Sequence, residues 1–149
     1  MAKTILILNG PNLNLLGERQ PEIYGNETLD DVASLCAEAA APFGRKTELR
    51  QSNHEGELVG WIHEARDSCA AIVINPGAYS HTSIAILDAL HMFEGPVAEV
   101  HLSNIHAREE FRHSSYVSGR ADAVIVGCGT AGYRFAVQRV CACLSDAVT

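Results

Sequence analysis

Five short apolar runs punctuate the chain, at residues 4–9, 46–51, 70–75, 97–101 and 123–127. Within them Ile5-Leu6-Ile7-Leu8, Ala71-Ile72-Val73-Ile74 and Val124-Ile125-Val126 are continuous rather than alternating. A strand that is apolar on both faces is one covered on both faces, the habit of a parallel sheet. Segments with helical spacing lie between the runs. Residues 27–42 open with Asn26 or Thr28 as a cap and close at Pro42 and Gly44. Residues 53–68 carry Leu58, Ile62 and Ala65, and residues 82–93 carry Ile86, Leu87 and Leu90. A last helix is expected from Thr130 to about Leu144. Strands alternating with helices imply right-handed crossovers within one sheet. The predicted fold class is therefore α/β: a doubly wound five-stranded parallel sheet flanked by helices, with residues 1–149 forming one domain. No linker, low-complexity tract or internal repeat divides it.

Composition narrows the class. A chain of 149 residues with 47% hydrophobic and 19% charged residues can bury a core without metal or disulfide support. A formal net charge of −7 disfavours nonspecific nucleic-acid binding, which needs a phosphate-neutralising basic surface. No run of ~18 apolar residues offers a membrane span. The opening Met1-Ala2-Lys3-Thr4 leads straight into the first short run and lacks the segment of a signal peptide, so a cytoplasmic location is expected. The five cysteines are odd in number and are expected to pack as small hydrophobes in helix or strand contexts.

In a doubly wound sheet, ligands sit outside the carboxyl ends of the strands. Those ends carry Asn9-Gly10-Pro11-Asn12, Ser52-Asn53-His54, Asn75-Pro76-Gly77, His101-Leu102-Ser103-Asn104 and Gly127-Cys128-Gly129. Uncharged hydrogen-bonding side chains there suit a polyol or hydroxy acid better than a metal, although each is also a common turn former. After the first run, Gly17 and Gly25 bound a segment containing Arg19, Pro21 and Tyr24. Glycines at both ends are candidate hinges for a lid over residues 17–25. An arginine held near a phenol favours the phenolate and makes it a usable base. An ordinary surface loop with a buried tyrosine fits the same letters. On the fourth strand Glu99, His101 and Ser103 share a face, since residues two apart do so. A carboxylate beside an imidazole fixes its tautomer and supports a proton donor, while a buried, satisfied pair is the structural alternative. Arg108 and Arg112 lie on one face if their segment is helical, suited to anion capture or to a solvated basic surface. Asn75 and His81 flank the loop after the third strand.

Other signatures are missing or weak. There is no GxxxxGK[ST] and no HExxH, and the one GxGxxG, residues 127–132, follows the last strand with no further strand to complete a nucleotide-binding unit. The only lysines, Lys3 and Lys46, fall at the end of the sheet opposite the ligand edge, which argues against Schiff-base chemistry.

Four blocks in register carry a resemblance: NGPNLNLLGERQPEIYG at 9–25, QSNHEGEL at 51–58, NPGAYSHTSIA at 75–85 and EVHLSNIHAREEFR at 99–112. The chain resembles the type II 3-dehydroquinate dehydratases from Ile5 to about Tyr133. The resemblance implies a flavodoxin-like fold and dehydration of 3-dehydroquinate to 3-dehydroshikimate, in the shikimate pathway or in quinate catabolism. It implies neither cofactor nor metal, and a homo-oligomer of trimers packed into a dodecamer. Carried over by position, Tyr24 removes a proton alpha to the ketone with Arg19 lowering its pKa, and Asn12 holds a water against the enolate. His101, oriented by Glu99, protonates the departing hydroxyl. Asn75, His81, Leu102 through its backbone, Ser103 and Arg112 hold the substrate. Arg108 lies near the tyrosine, and Asp88 reaches into a neighbouring subunit's site. Leu87, Gly60 and Ser114 depart from common family residues, Leu87 standing where many relatives carry Arg beside the trimer contact. Two other readings of the same fold are a flavin- or nucleotide-binding module and a non-catalytic assembly protein. The phosphate loop of the former would want glycines and hydroxyls where Gly10-Pro11-Asn12 supplies one glycine and a proline.

Overall fold

The computed structural model describes residues 3–18 and 20–148. Five strands, β1 (Thr4–Asn9), β2 (Thr47–Gln51), β3 (Cys69–Asn75), β4 (Val97–His101) and β5 (Ala123–Val126), form one parallel sheet in the order β2-β1-β3-β4-β5. The helices are α1 (Pro21–Tyr24), α2 (Leu29–Ala40), α3 (Glu55–Ser68), α4 (Ile84–His91) and α5 (Ala131–Val148). This is the flavodoxin-like strand order, whose direction reverses between β1 and β3.

The continuous runs of β1 and β3 are explained by two cores, whereas β5 is an edge strand on which Val124 is 46% exposed, so its run, contrary to expectation, is not covered on both faces. Ile5 and Ile7 of β1 join Val32 and Cys36 of α2 and Ala136, Val137 and Val140 of α5 on one face. Leu6 and Leu8 join Leu58 and Ile62 of α3 and Ile86 and Leu90 of α4 on the other. The helix starts are set by caps. Asp31 N–H donates to Thr28 Oγ1 while Thr28 N–H donates to Asp31, a reciprocal box that starts α2 at Leu29 rather than at residue 27. Ile86 N–H donates to Ser83 Oγ at 2.9 Å and starts α4 at Ile84.

Two further expectations need correction. The connection from β4 to β5 is not a helix: it consists of 3-10 turns at Ile105–Ala107, Glu110–Arg112 and Val117–Gly119. Arg108 interrupts it with extended backbone (φ −108°, ψ −164°), so Arg108 and Arg112 do not share a helical face. Val117 of the third turn is fully buried against the α3/α4 core, so this segment does the covering that a helix would do. Among the cysteines, Cys36, Cys69 and Cys141 are buried, but Cys128 is exposed in the Gly127–Gly129 turn instead of packing. All five are free thiols, and burial pushes that of Cys36 up to about 12.

At the switch point the loops after β1 and β3 press together. A Cβ on Gly10 would lie 2.3 Å from the Pro76 carbonyl oxygen, and Gly77 adopts φ +59° against Pro11. Gly10→Ala is expected to destabilise the fold by about 3 kcal/mol, because the obstacle is backbone and cannot rotate away. A urea midpoint equal to wild type would show that the two loops can separate.

Candidate active site

The sheet register brings the polar strand ends into line: Asn9 pairs with Gln51 on one side and with Asn75 on the other. Asn9 and Asn75 are buried, so their amides require partners. Tyr133 of α5 supplies them. Its fully buried hydroxyl donates to Asn9 Oδ1 at 2.6 Å and accepts from Asn75 Nδ2 at 3.0 Å. Burial holds the phenol well above its usual range, so it remains protonated as a structural donor. Asn75 Oδ1 accepts the Gly77 N–H, which leaves this amide fixed at the floor of the site. Sequence reasoning did not assign Tyr133. The available signal was two asparagines closing apolar strands, each of which had to be bonded by something on the α5 face.

Above this floor is a cavity of about 110 Å³. Asn12, Asn75, His81 and His101 line it, as do Leu102, Ser103, Arg108 and Arg112. Eight of the site residues proposed from sequence therefore converge from the ends of β1, β3 and β4 and from the β4–β5 connection. Asn12 sits in the left-handed region (φ 70°), its N–H bonded to Asn53 Oδ1 at 2.9 Å, and Gln51 ties Asn53 to the Gly10 carbonyl. His81 Nδ1 donates to the Ser114 carbonyl at 2.8 Å, and its ring stacks 6.3 Å from that of His101. Arg108 donates to Ser103 Oγ at 3.2 Å. Arg112 Nε donates to Glu109 at 2.5 Å, so an incoming anion would meet a guanidinium already oriented by a carboxylate.

Glu99 stands behind His101, fully buried, with Oε2 bonded to His101 Nε2. That contact leaves Nδ1 as the imidazole nitrogen able to serve the cavity. Burial by itself raises the Glu99 pKa, but hydrogen bonds from His101 and Ser118, with the charge of His101, outweigh it and hold the carboxyl below its ordinary value. The arrangement offers proton transfer at an imidazole, two guanidiniums for a carboxylate, and amides and hydroxyls for substrate hydroxyls. Asp88 is not brought to this cavity; it is exposed on α4. Arg19 and the Tyr24 side chain lie outside the described residues. The segment expected to form a lid contains the short helix α1, flanked by positive-φ glycines at Gly17 (φ 94°) and Gly25 (φ 83°). Lys3 and Lys46 precede β1 and β2, at the amino ends of the strands.

A flavodoxin-like sheet with an imidazole–carboxylate pair and paired guanidiniums at its carboxyl edge defines a small-molecule site of the kind that handles a polar anion. The model of the family described as dehydroquinase class II matches residues 3–141. The chain is 71% identical over 139 residues to a 3-dehydroquinate dehydratase of Streptomyces avermitilis, covering 93% of this chain and 87% of that protein. To one of Cereibacter sphaeroides it is 65% identical, covering 95% and 96%. Its fold matches the crystal structure of a type II dehydroquinase from Propionibacterium acnes with TM-score 0.90 and 48% identity, covering 95% and 98%. The chain belongs to the class II dehydroquinase family.

Proposed function

We propose that this protein dehydrates 3-dehydroquinate to 3-dehydroshikimate by anti elimination, as the step of the shikimate pathway or of quinate catabolism. Tyr24 takes the proton alpha to the ketone, assisted by Arg19, and electron density moves onto the carbonyl oxygen as an enolate. A water held at Asn12 stabilises that enolate. Collapse of the enolate expels the hydroxyl, which takes a proton from His101 and leaves as water. Arg112 holds the carboxylate, while Asn75, His81, Ser103 and the Leu102 backbone hold hydroxyls, and Arg108 steadies the tyrosine side. The observation that carries this reading is the His101 imidazole on the cavity wall with a buried, ionised Glu99 on its far nitrogen. Hydroxide is a poor leaving group, and an imidazolium backed by a carboxylate is the group that removes the difficulty. The position of both lysines supports an enolate rather than an imine route. The names of the relatives point to the same substrate. The test is ultraviolet absorbance on adding 3-dehydroquinate, since the product is a conjugated enone. Folded protein that produces no absorbance change would refute the assignment.

The same reading extends to assembly and location. Asp88 is exposed and does not line its own cavity, and Ile84 on α4 and Met92 at its C-cap, 54% and 57% exposed, lie four residues to either side of it. That apolar flank supports Asp88 completing a neighbouring subunit's site in a trimer, with trimers packed into a dodecamer. Light scattering is expected to give about 190 kDa for twelve 16.0 kDa chains. About 48 kDa would support isolated trimers, and a fully active 16.0 kDa monomer would end the shared-site idea. A cytoplasmic setting is part of the proposal; among the described residues no helix is long and apolar enough to cross a membrane.

A further inference from the structure

The carboxylate of Glu99 occupies an unfavourable place. It is 0% exposed, and its register partners on the neighbouring strands, Ile74 and Val124, are apolar. Burying such a charge is costly unless its oxygens are bonded. One oxygen meets His101; the other, Oε1, accepts from Ser118 Oγ at 2.5 Å, within the range of a hydroxyl bonded to an ionised carboxylate. The terminal torsion of a glutamate is broad and two-fold, so a carboxylate held at one end only could turn away from the imidazole.

We propose that Ser118 is a positioning residue for this site, its hydroxyl clamping Glu99 so that the second carboxylate oxygen stays aimed at His101. The inference rests on the reading of His101 as the acid. Ser118 is itself held in place. It lies in the Val117–Gly119 turn, whose Val117 is fully buried, and the preceding Tyr116 N–H donates to the Ser80 carbonyl at 2.8 Å. The same segment fixes the other cavity histidine, because the carbonyl of Ser114 accepts from His81. Residues 114–118 thus anchor both stacked imidazoles from behind. At position 114 the contact is made by the backbone carbonyl and not by the serine side chain.

Ser115 completes the surroundings. Its Oγ is buried and meets no partner in full hydrogen-bond geometry, yet it lies near enough to Glu99 to favour the charged form. It is thus a second hydroxyl beside Glu99. Among the described residues, the groups that bear on the Glu99 charge are therefore His101 from its own strand and Ser118 and Ser115 from the connecting segment.

The sign of the effect follows. With the Ser118 hydrogen bond gone, burial is less opposed and Glu99 binds its proton at higher pH. The acidic limb of kcat should then move toward higher pH. Ser118→Ala is expected to lower kcat by about tenfold, with KM nearly constant, and the Ser115→Ala/Ser118→Ala double variant should lower it further. Ser118→Thr keeps a hydroxyl and should restore the profile. A merely structural role would reduce the amount of folded enzyme and leave the pH profile unmoved. Carbon-13 titration of Glu99 reads the clamp without turnover. The wild-type midpoint should lie below the ordinary glutamate range and rise in the double variant. If wild-type protein fails to turn over 3-dehydroquinate, the proposed reaction falls while this titration still reports on the clamp. A wild-type midpoint at or above the ordinary range, or a double variant with unchanged titration and unchanged kcat–pH profile, would overturn the inference.

Discussion

Replacing His101 with Gln is expected to reduce kcat on 3-dehydroquinate by about 10²–10⁴-fold, the usual contribution of a general acid, while fold and substrate affinity persist. Glutamine is the informative choice because the pair is buried. His101 is 5% exposed and Glu99 0% exposed, so deleting the imidazole outright would strand a carboxylate without its partner. Losing one member of such a pair costs about 3–5 kcal/mol and would confuse stability with catalysis. A glutamine amide still donates to Glu99 but has no titratable nitrogen, so only the proton delivery is removed. Steady-state kinetics should show the loss in kcat, with KM changing little. A variant within tenfold of wild type would assign the acid elsewhere, with His81, stacked on His101, the first to examine.

Much of this site was legible because a parallel sheet sends every strand end to one edge. Once the runs ending at Asn9, Asn75 and His101 were recognised as strands, Asn12, Asn75, His101 and Ser103 had to converge, and they line one cavity. Glu99 and His101 were legible as a pair because alternation along a strand puts residues two apart on one face. Arg108 and Arg112 reach the cavity by a different route. Their common helical face does not exist, and 3-10 turns broken by extended backbone bring both side chains in. Short 3-10 turns leave no periodic signature, so the connection from β4 to β5 could not be derived from spacing. The same lack of pattern hid Ser118, whose value lies in facing Glu99 across nineteen residues of chain. Tyr133 was hidden differently. On α5 its side chain belongs to an ordinary apolar stripe, and nothing local shows that its hydroxyl bridges two strand ends 124 and 58 residues away.

The base half of the proposed mechanism rests on a single oxygen. Tyr24→Phe is expected to retain fold and binding and to lose turnover by about 10³-fold or more, because phenylalanine fills the same volume but cannot accept a proton. Tyr24 closes α1, directly before Gly25 at φ 83°, and a β-carbon at Gly25 would meet nothing within 4 Å. Phenylalanine keeps the ring and the helix-ending backbone before Gly25, so the substitution is expected to leave the turn in place. Arg19 provides the companion measurement. If its cation favours the phenolate, Arg19→Ala raises the pH at which that base forms, and the limb of kcat set by the base moves to higher pH as the rate falls. Both effects can be read from the same absorbance assay across a pH series. A Tyr24→Phe enzyme within tenfold of wild type would move the base to another residue. An Arg19→Ala enzyme with a slower rate but an unmoved limb would keep the base and leave Arg19 as a contact to the substrate alone.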